Sequence, residues 1–137
     1  MMLGERIAAE ALALVGVRFR LHGRSEETGL DCVGLVALAA DRAGMPIARL
    51  PAYRLHGTGR SKAERALAQA GFVSVGVVRS GDVLLVESGP MQLHLMIHSD
   101  GGLIHAHAGL GRVVLMPSPS PWPILGHWRA DHSGKGE

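Results

Sequence analysis

The chain has 137 residues and carries 14 Lys plus Arg against 12 Asp plus Glu, a formal net charge of +2; that length suits one domain around one core and rules out a multidomain machine. With 47% hydrophobic and 19% charged residues it is not a disordered chain, and the small, scattered excess of arginine does not point to nucleic acid. No apolar run reaches the roughly 18 residues that span a bilayer, so no membrane insertion is expected.

Leu3, Ile7, Ala11, Leu12 and Val15 recur every three to four positions and predict an amphipathic helix over 3–15, ending at Gly16. Glu5 and Glu10 fall within it, so it does not read as a signal peptide. Residues 17–31 mix arginines, glycines and acids without a period and read as a loop. The stretch 32–43 is rich in Ala, Leu and Val with Gly44 and Pro46 beyond its end; it predicts a helix with Asp31 as N-cap and Cys32 in the first turn. Pro46, Pro51, Gly57 and Gly59 make 45–60 a long connection, after which Ser61-Lys62-Ala63-Glu64 has the capping-box pattern of a short helix closed by Gly71. Short apolar and β-branched runs follow at 72–78, 82–86, 93–98, 103–107, 113–116 and 124–128, separated by turn residues, and predict an antiparallel sheet. Helices first and strands afterwards define an α+β domain over 1–130, with N-terminal helices packed on a C-terminal sheet and 131–137 as a polar, disordered tail.

Cys32 is the sole cysteine, so no internal disulfide can form. A lone cysteine in an Ala/Val/Leu helix is ordinarily a small buried hydrophobe. In the first turn, however, the helix dipole favours the thiolate, the nucleophilic form, with Asp31 opposing it. A cysteine nucleophile needs a base, and histidine suits that work near neutral pH. Even spacing puts His94 with His98, and His105 with His107, on one face of neighbouring strands. That patch reads three ways: solvent-facing positions, a zinc site lacking C-x-x-C or H-E-x-x-H spacing, or a Cys-His-His triad. His98 and His107 read equally as groove-lining or plain surface positions. Trp122, between Pro121 and Pro123, reads as a loop anchor, and His127 and Trp128 as packing of the last strand.

Gly29-Leu30-Asp31-Cys32-Val33-Gly34-Leu35-Val36 resembles the D-C-S-G nucleophile motif of the NlpC-type cell-wall cysteine peptidases. Ser80-Gly81-Asp82-Val83-Leu84-Leu85 is similar to their G-D-hydrophobic strand start, His94-Leu95-Met96-Ile97 to their H-V-G-I strand, and Leu103-Ile104-His105-Ala106 to their hydrophobic-I-H-A strand. The resemblance implies a papain-like fold with Cys32 as nucleophile, His94 as general base and His105 as the residue orienting it. It further implies peptidoglycan as substrate, with no cofactor and no metal. Asp31, His22, Arg20 and His107 are the expected substrate-binding residues. The family's upstream tyrosine is missing from Phe19-Arg20-Leu21-His22-Gly23, which leaves His22 or Arg20 to supply its oxyanion donor. Val33 stands where serine commonly follows the nucleophile, and implies a preference for uncut wall over free peptides. The segments Phe19 to Arg24 and Gly126-His127-Trp128-Arg129 are similar to short members found beside phage-tail and gene-transfer-agent genes. That likeness implies tail or baseplate hub proteins as partners, and a particle that carries the enzyme to the cell wall or periplasm. Two alternatives share these residues: an N-acetylmuramoyl-L-alanine amidase and a catalytically silent tail component.

Overall fold

A computed structural model of the protein describes residues 1–45 and 59–131. Most of the predicted connection and the tail from 132 on therefore lie outside the described residues. Asp131, placed in that tail by the sequence, is tied to the domain by its N–H on the Gly71 carbonyl at 2.9 Å.

Helix α1, Leu3–Ala13, starts where predicted, with the Glu5 carboxylate accepting the Met2 N–H at 2.9 Å. It stops two residues early, the chain turning through Leu14 to Gly16 at φ 98°. The expected loop contains a two-stranded ribbon, β1 (Arg24–Ser25) with β2 (Gly29–Leu30). Strands of two residues carry no periodicity, so the sequence could not show it. Its turn is closed by side chains, with Thr28 N–H on Ser25 Oγ at 3.1 Å. Helix α2, Cys32–Arg42, carries the predicted Asp31 cap. Helix α3, Arg60–Gln69, departs from the predicted capping box: Gly59 is its N-cap and Ser61 lies in the first turn. Glu64, which that box needed, is instead paired with Arg60 at 3.0 Å.

The six remaining strands are β3 (Phe72–Val75), β4 (Val83–Gly89), β5 (Gln92–Ser99), β6 (Gly102–His107), β7 (Arg112–Met116) and β8 (Ile124–Ala130). They form one antiparallel sheet in the order β3-β8-β4-β5-β6-β7, and the domain is α+β as expected. Strand alternation sends Val83, Leu85, Leu95, Ile97, Ile104 and Ala106 to the helical side, where they meet Ile7, Leu14, Leu35, Val36 and Ala39. The other face is covered too: Leu84, Val86, Met96 and Leu103 cluster with Val78, Met116 and Trp122. Both faces of the central strands are thus dry, which is why β4 reads as an unbroken apolar run rather than an alternating one. Each Leu or Ile so buried contributes roughly 1.5–3 kcal/mol.

Asp82 stands just before β4 and is fully buried. Its carboxylate accepts from Arg129 Nε at 2.9 Å, Arg129 Nη2 at 2.8 Å and the Arg79 N–H at 2.7 Å. The Asp82 carbonyl takes the His98 N–H at 2.8 Å. This one residue therefore ties the start of β4 to β8 and to β5, the strand that carries His94.

Candidate active site

A cavity of about 580 Å³ opens where the N-terminus of α2 meets β5 and β6. Cys32, His94 and His105 all line it, together with His22, Asp31, His107, Phe19 and Trp122. Arg20 does not line it. That side chain is exposed, and its stem crosses Gly29, where an added Cβ would collide with the Arg20 Cβ. His98 is also outside the lining; Met96 and Leu103 fill the sheet face between it and His94.

Cys32 is positioned by the cap that precedes it. Asp31 Oδ1 accepts the Gly34 N–H at 2.8 Å, and Asp31 Oδ2 accepts the His22 N–H at 2.8 Å. Both oxygens of this buried carboxylate thus hold backbone, joining the 19–23 segment to the start of α2. His22 is bent into the left-handed region at φ 62° to make its bond. Gly34 is required by the same packing, because a Cβ there would run into the Gly23 carbonyl oxygen. The glycine two places after the cysteine is therefore a steric need of the cavity wall.

The Cys32 thiol is pushed up to about 12, chiefly by burial; a backbone hydrogen bond from Leu95 opposes this, the Asp31 carboxylate adds to it, and backbone bonds from Val33 and Cys32 oppose it again. The Leu95 contact sets the sulfur against β5 one residue after His94. His94 is held down at about 3, first by burial and then by His105 and His107. His105 is held at about 4 by burial and by His107. Burial thus disfavours both the thiolate and the imidazolium in this site, against the pull of the helix dipole on the sulfur. Desolvation of the sulfur outweighs the partial charge of the helix end.

His94 Nε2 and His105 Nδ1 are 2.9 Å apart, and the rings are nearly perpendicular at 81°. The bond engages one nitrogen of His94 and leaves Nδ1 clear of His105. His107 Nδ1 accepts the Leu110 N–H at 3.0 Å, so in the neutral ring its proton sits on Nε2. Among the described residues, no group of three His, Cys, Asp or Glu side chains is arranged to hold a metal ion.

The fold is that of the NlpC/p60 domains. The NlpC1 protein of Trichomonas vaginalis superposes with a TM-score of 0.64 over 91% of this chain and 44% of its own, at 22% identity. The chain thus spans about half the length of that protein, at 44%. The NlpC/p60 domain of the peptidoglycan hydrolase SagA matches with a TM-score of 0.59 at 25% identity, over 83% of this chain and 88% of that one. RipD of Mycobacterium tuberculosis, described as a non-catalytic NlpC/p60 domain protein adapted to peptidoglycan binding, matches at 0.59 and 16% identity over 94% and 97%. No family model and no curated protein matches the sequence.

Sequence reasoning missed the part of Trp122. Its indole lies edge-to-face against both His94 and His105, with centroids 5.8 and 5.7 Å away. The alternating prolines at 117, 119, 121 and 123 marked a stiff segment, but nothing in the sequence said what it lies against.

Proposed function

We propose that this protein is a cysteine peptidoglycan hydrolase that cleaves an amide bond of the stem peptide, between D-glutamate and the diamino acid. The observation that carries the reading is the 2.9 Å bond between His94 and His105 in a cavity that Cys32 also lines. In this reaction Cys32 Sγ attacks the carbonyl while His94 Nδ1 takes the thiol proton. The imidazolium then protonates the leaving amine, and the neutral ring activates water to hydrolyse the thioester. His105 holds His94 through Nε2 and keeps Nδ1 as the basic nitrogen. Because burial disfavours both charged forms, proton transfer accompanies attack in this reading and does not precede it. In this reading the Cys32 N–H at the start of α2 and His22, both at the cavity, supply the oxyanion donors, and Arg20 lies outside the lining.

His107 and His22 contact substrate in this reading, while Asp31 shapes the site. The sequence likeness to phage-tail and gene-transfer-agent peptidases supports delivery by a phage-like particle, bound to a tail or baseplate hub. The test is mass spectrometry of soluble products from intact sacculi incubated with the protein or with Cys32→Ala. Peptides cut after D-glutamate, from the unaltered protein alone, are expected. Whole stem peptides would identify an amidase instead. Absence of products in both free and particle-bound protein would overturn hydrolysis and leave a wall-binding role like that described for RipD.

A further inference from the structure

Among the described residues, His105 Nε2 is a buried polar atom of the site that the proposed reaction leaves unexplained. If His94 is to accept a proton at Nδ1, its own proton is on Nε2, and His105 Nδ1 is the acceptor of the 2.9 Å bond. The proton of neutral His105 is then on Nε2. That atom is buried and has no hydrogen-bond partner in the structure, in a residue only 1% exposed. The opposite orientation, with His105 donating, would put the His94 proton on Nδ1 and remove the base.

What surrounds the pair is aromatic. Trp122 meets His94 at an interplanar angle of 83° and His105 at 85°. The two imidazoles are themselves 81° apart, so three rings stand mutually edge-to-face. Trp122 is fixed in that place. Its N–H donates to Ser120 Oγ at 3.0 Å, while Ser120 Oγ donates to the Trp122 carbonyl at 2.8 Å. The Pro123 carbonyl next to it accepts the Glu87 N–H at 3.0 Å, and the indole packs with Leu84, Val86, Met96 and Leu103. An indole face is electron-rich. It attracts a cation and accepts a weak N–H contact where no oxygen is available.

We propose that Trp122 is a positioning residue of the His94–His105 pair: it fixes the tautomer with Nδ1 of His94 unprotonated and stabilises the imidazolium that His94 becomes during attack. This rests on the peptidase reading of the site. The indole is then the group that offsets, at the moment of proton transfer, the burial that keeps His94 neutral at rest. Trp122 makes no bond to substrate in this role. Its loss therefore acts on the chemical step and leaves substrate affinity alone.

The experiment compares the protein with Trp122→Phe and Trp122→Leu in two ways. In steady-state cleavage of soluble peptidoglycan fragments, Trp122→Leu is expected to lower kcat by about 30-fold, the size of a desolvated cation–π contact, with KM within twofold. Trp122→Phe, which keeps an aromatic face, should recover most of that loss. In nitrogen NMR of the imidazoles at pH 7.5, His94 should be the Nε2–H tautomer in the unaltered protein and in Trp122→Phe. In Trp122→Leu it should become a mixture of tautomers. A rise in KM with unchanged kcat would make Trp122 a substrate platform and overturn the inference, as would a Phe variant no better than Leu. If the unaltered protein cleaves nothing, free or particle-bound, the peptidase reading fails, while the NMR comparison still decides the positioning role; a single tautomer retained in Trp122→Leu overturns it. Should Trp122→Leu not fold, Ser120→Ala frees the same indole, and unchanged kcat and tautomer there would overturn the inference equally.

Discussion

Replacing Arg129 by Met should destabilise the domain far more than its place near the end of the chain suggests. Asp82 has a side-chain exposure of 1% and Arg129 one of 27%, and the guanidinium supplies two of the three hydrogen bonds to that carboxylate. Removing Arg129 leaves a buried anion with only the Arg79 N–H, a situation that costs about 3–5 kcal/mol. At about 4 °C per kcal/mol for a domain of this size, that is a fall in Tm of roughly 12–20 °C. The reverse deletion, Asp82→Leu, should cost less, because Arg129 can turn its charge into solvent. The double variant Asp82→Leu/Arg129→Met should recover much of the loss, since a packed apolar pair can replace a buried ion pair. Thermal and urea denaturation of the three variants measure this. A fall of less than about 4 °C for Arg129→Met, or a larger loss for Asp82→Leu than for Arg129→Met, would refute the reasoning.

Further outcomes follow from the cavity. His94 and His105 are held at about 3 and 4, so the fold refuses protons that the unfolded chain takes up below about 6.5. Stability should therefore be full above pH 6.5 and decline as pH falls, by about 2 kcal/mol at pH 5 from His94 alone; urea midpoints at pH 7.5 and 5 check it, and equal midpoints would contradict it. Cys32, raised from 9.0 to about 12, should make stability fall again above pH 9, where the unfolded thiol ionises and the folded one does not. Cys32→Ala should flatten that alkaline limb in the same titration. Iodoacetamide should modify Cys32 slowly at pH 6, with a rate that climbs steeply above pH 9; fast modification at pH 6 would show a resting thiolate. Asp31→Ala should cost about 1 kcal/mol for the lost cap and should lower kcat as well, because the His22 segment is no longer tied to α2. Unchanged kcat in that variant would separate the cap from the site.

The layout of the fold was legible wherever a run of residues was long enough to show a period. The α1 and α2 segments, the Asp31 cap and all six strands of the main sheet could be read in this way. What could not be read was set by contacts distant in sequence. β8 returns between β3 and β4, where the Arg129–Asp82 bond joins partners 47 residues apart. Glu64 is a local exception: it looked like half of a capping box but pairs with Arg60, four residues before it. For the site, even spacing put His105 and His107 on one strand face, and both line the cavity with His94. The same rule grouped His98 with His94, but parity fixes only the face: Met96 and Leu103 occupy the sheet surface between them. Arg20 lies outside the cavity lining for a similar reason, since position in a loop does not give direction.

For the proposed reaction, the protonation state of the site decides how attack begins. A cysteine at a helix start reads as a thiolate when only the dipole is counted, and the helix end does favour charge by about 0.3–1 kcal/mol. Burial opposes it more strongly, and Asp31 adds a negative charge beside the sulfur because the cap must be there to hold the 19–23 segment. The same carboxylate that builds the cavity thus disfavours the resting thiolate. A reaction begun from a neutral pair needs its base fixed in one tautomer, since no ion pair orients the imidazole beforehand. The His94–His105 bond and the perpendicular indole of Trp122 meet that need. On this account activity should follow the tautomer of His94 more closely than the ionisation of Cys32. A variant that lowers the thiol pKa, such as Asp31→Asn, should therefore speed alkylation of Cys32 at pH 7 without raising kcat. A parallel rise in both would show that thiolate supply limits the reaction and that the neutral-pair account is wrong.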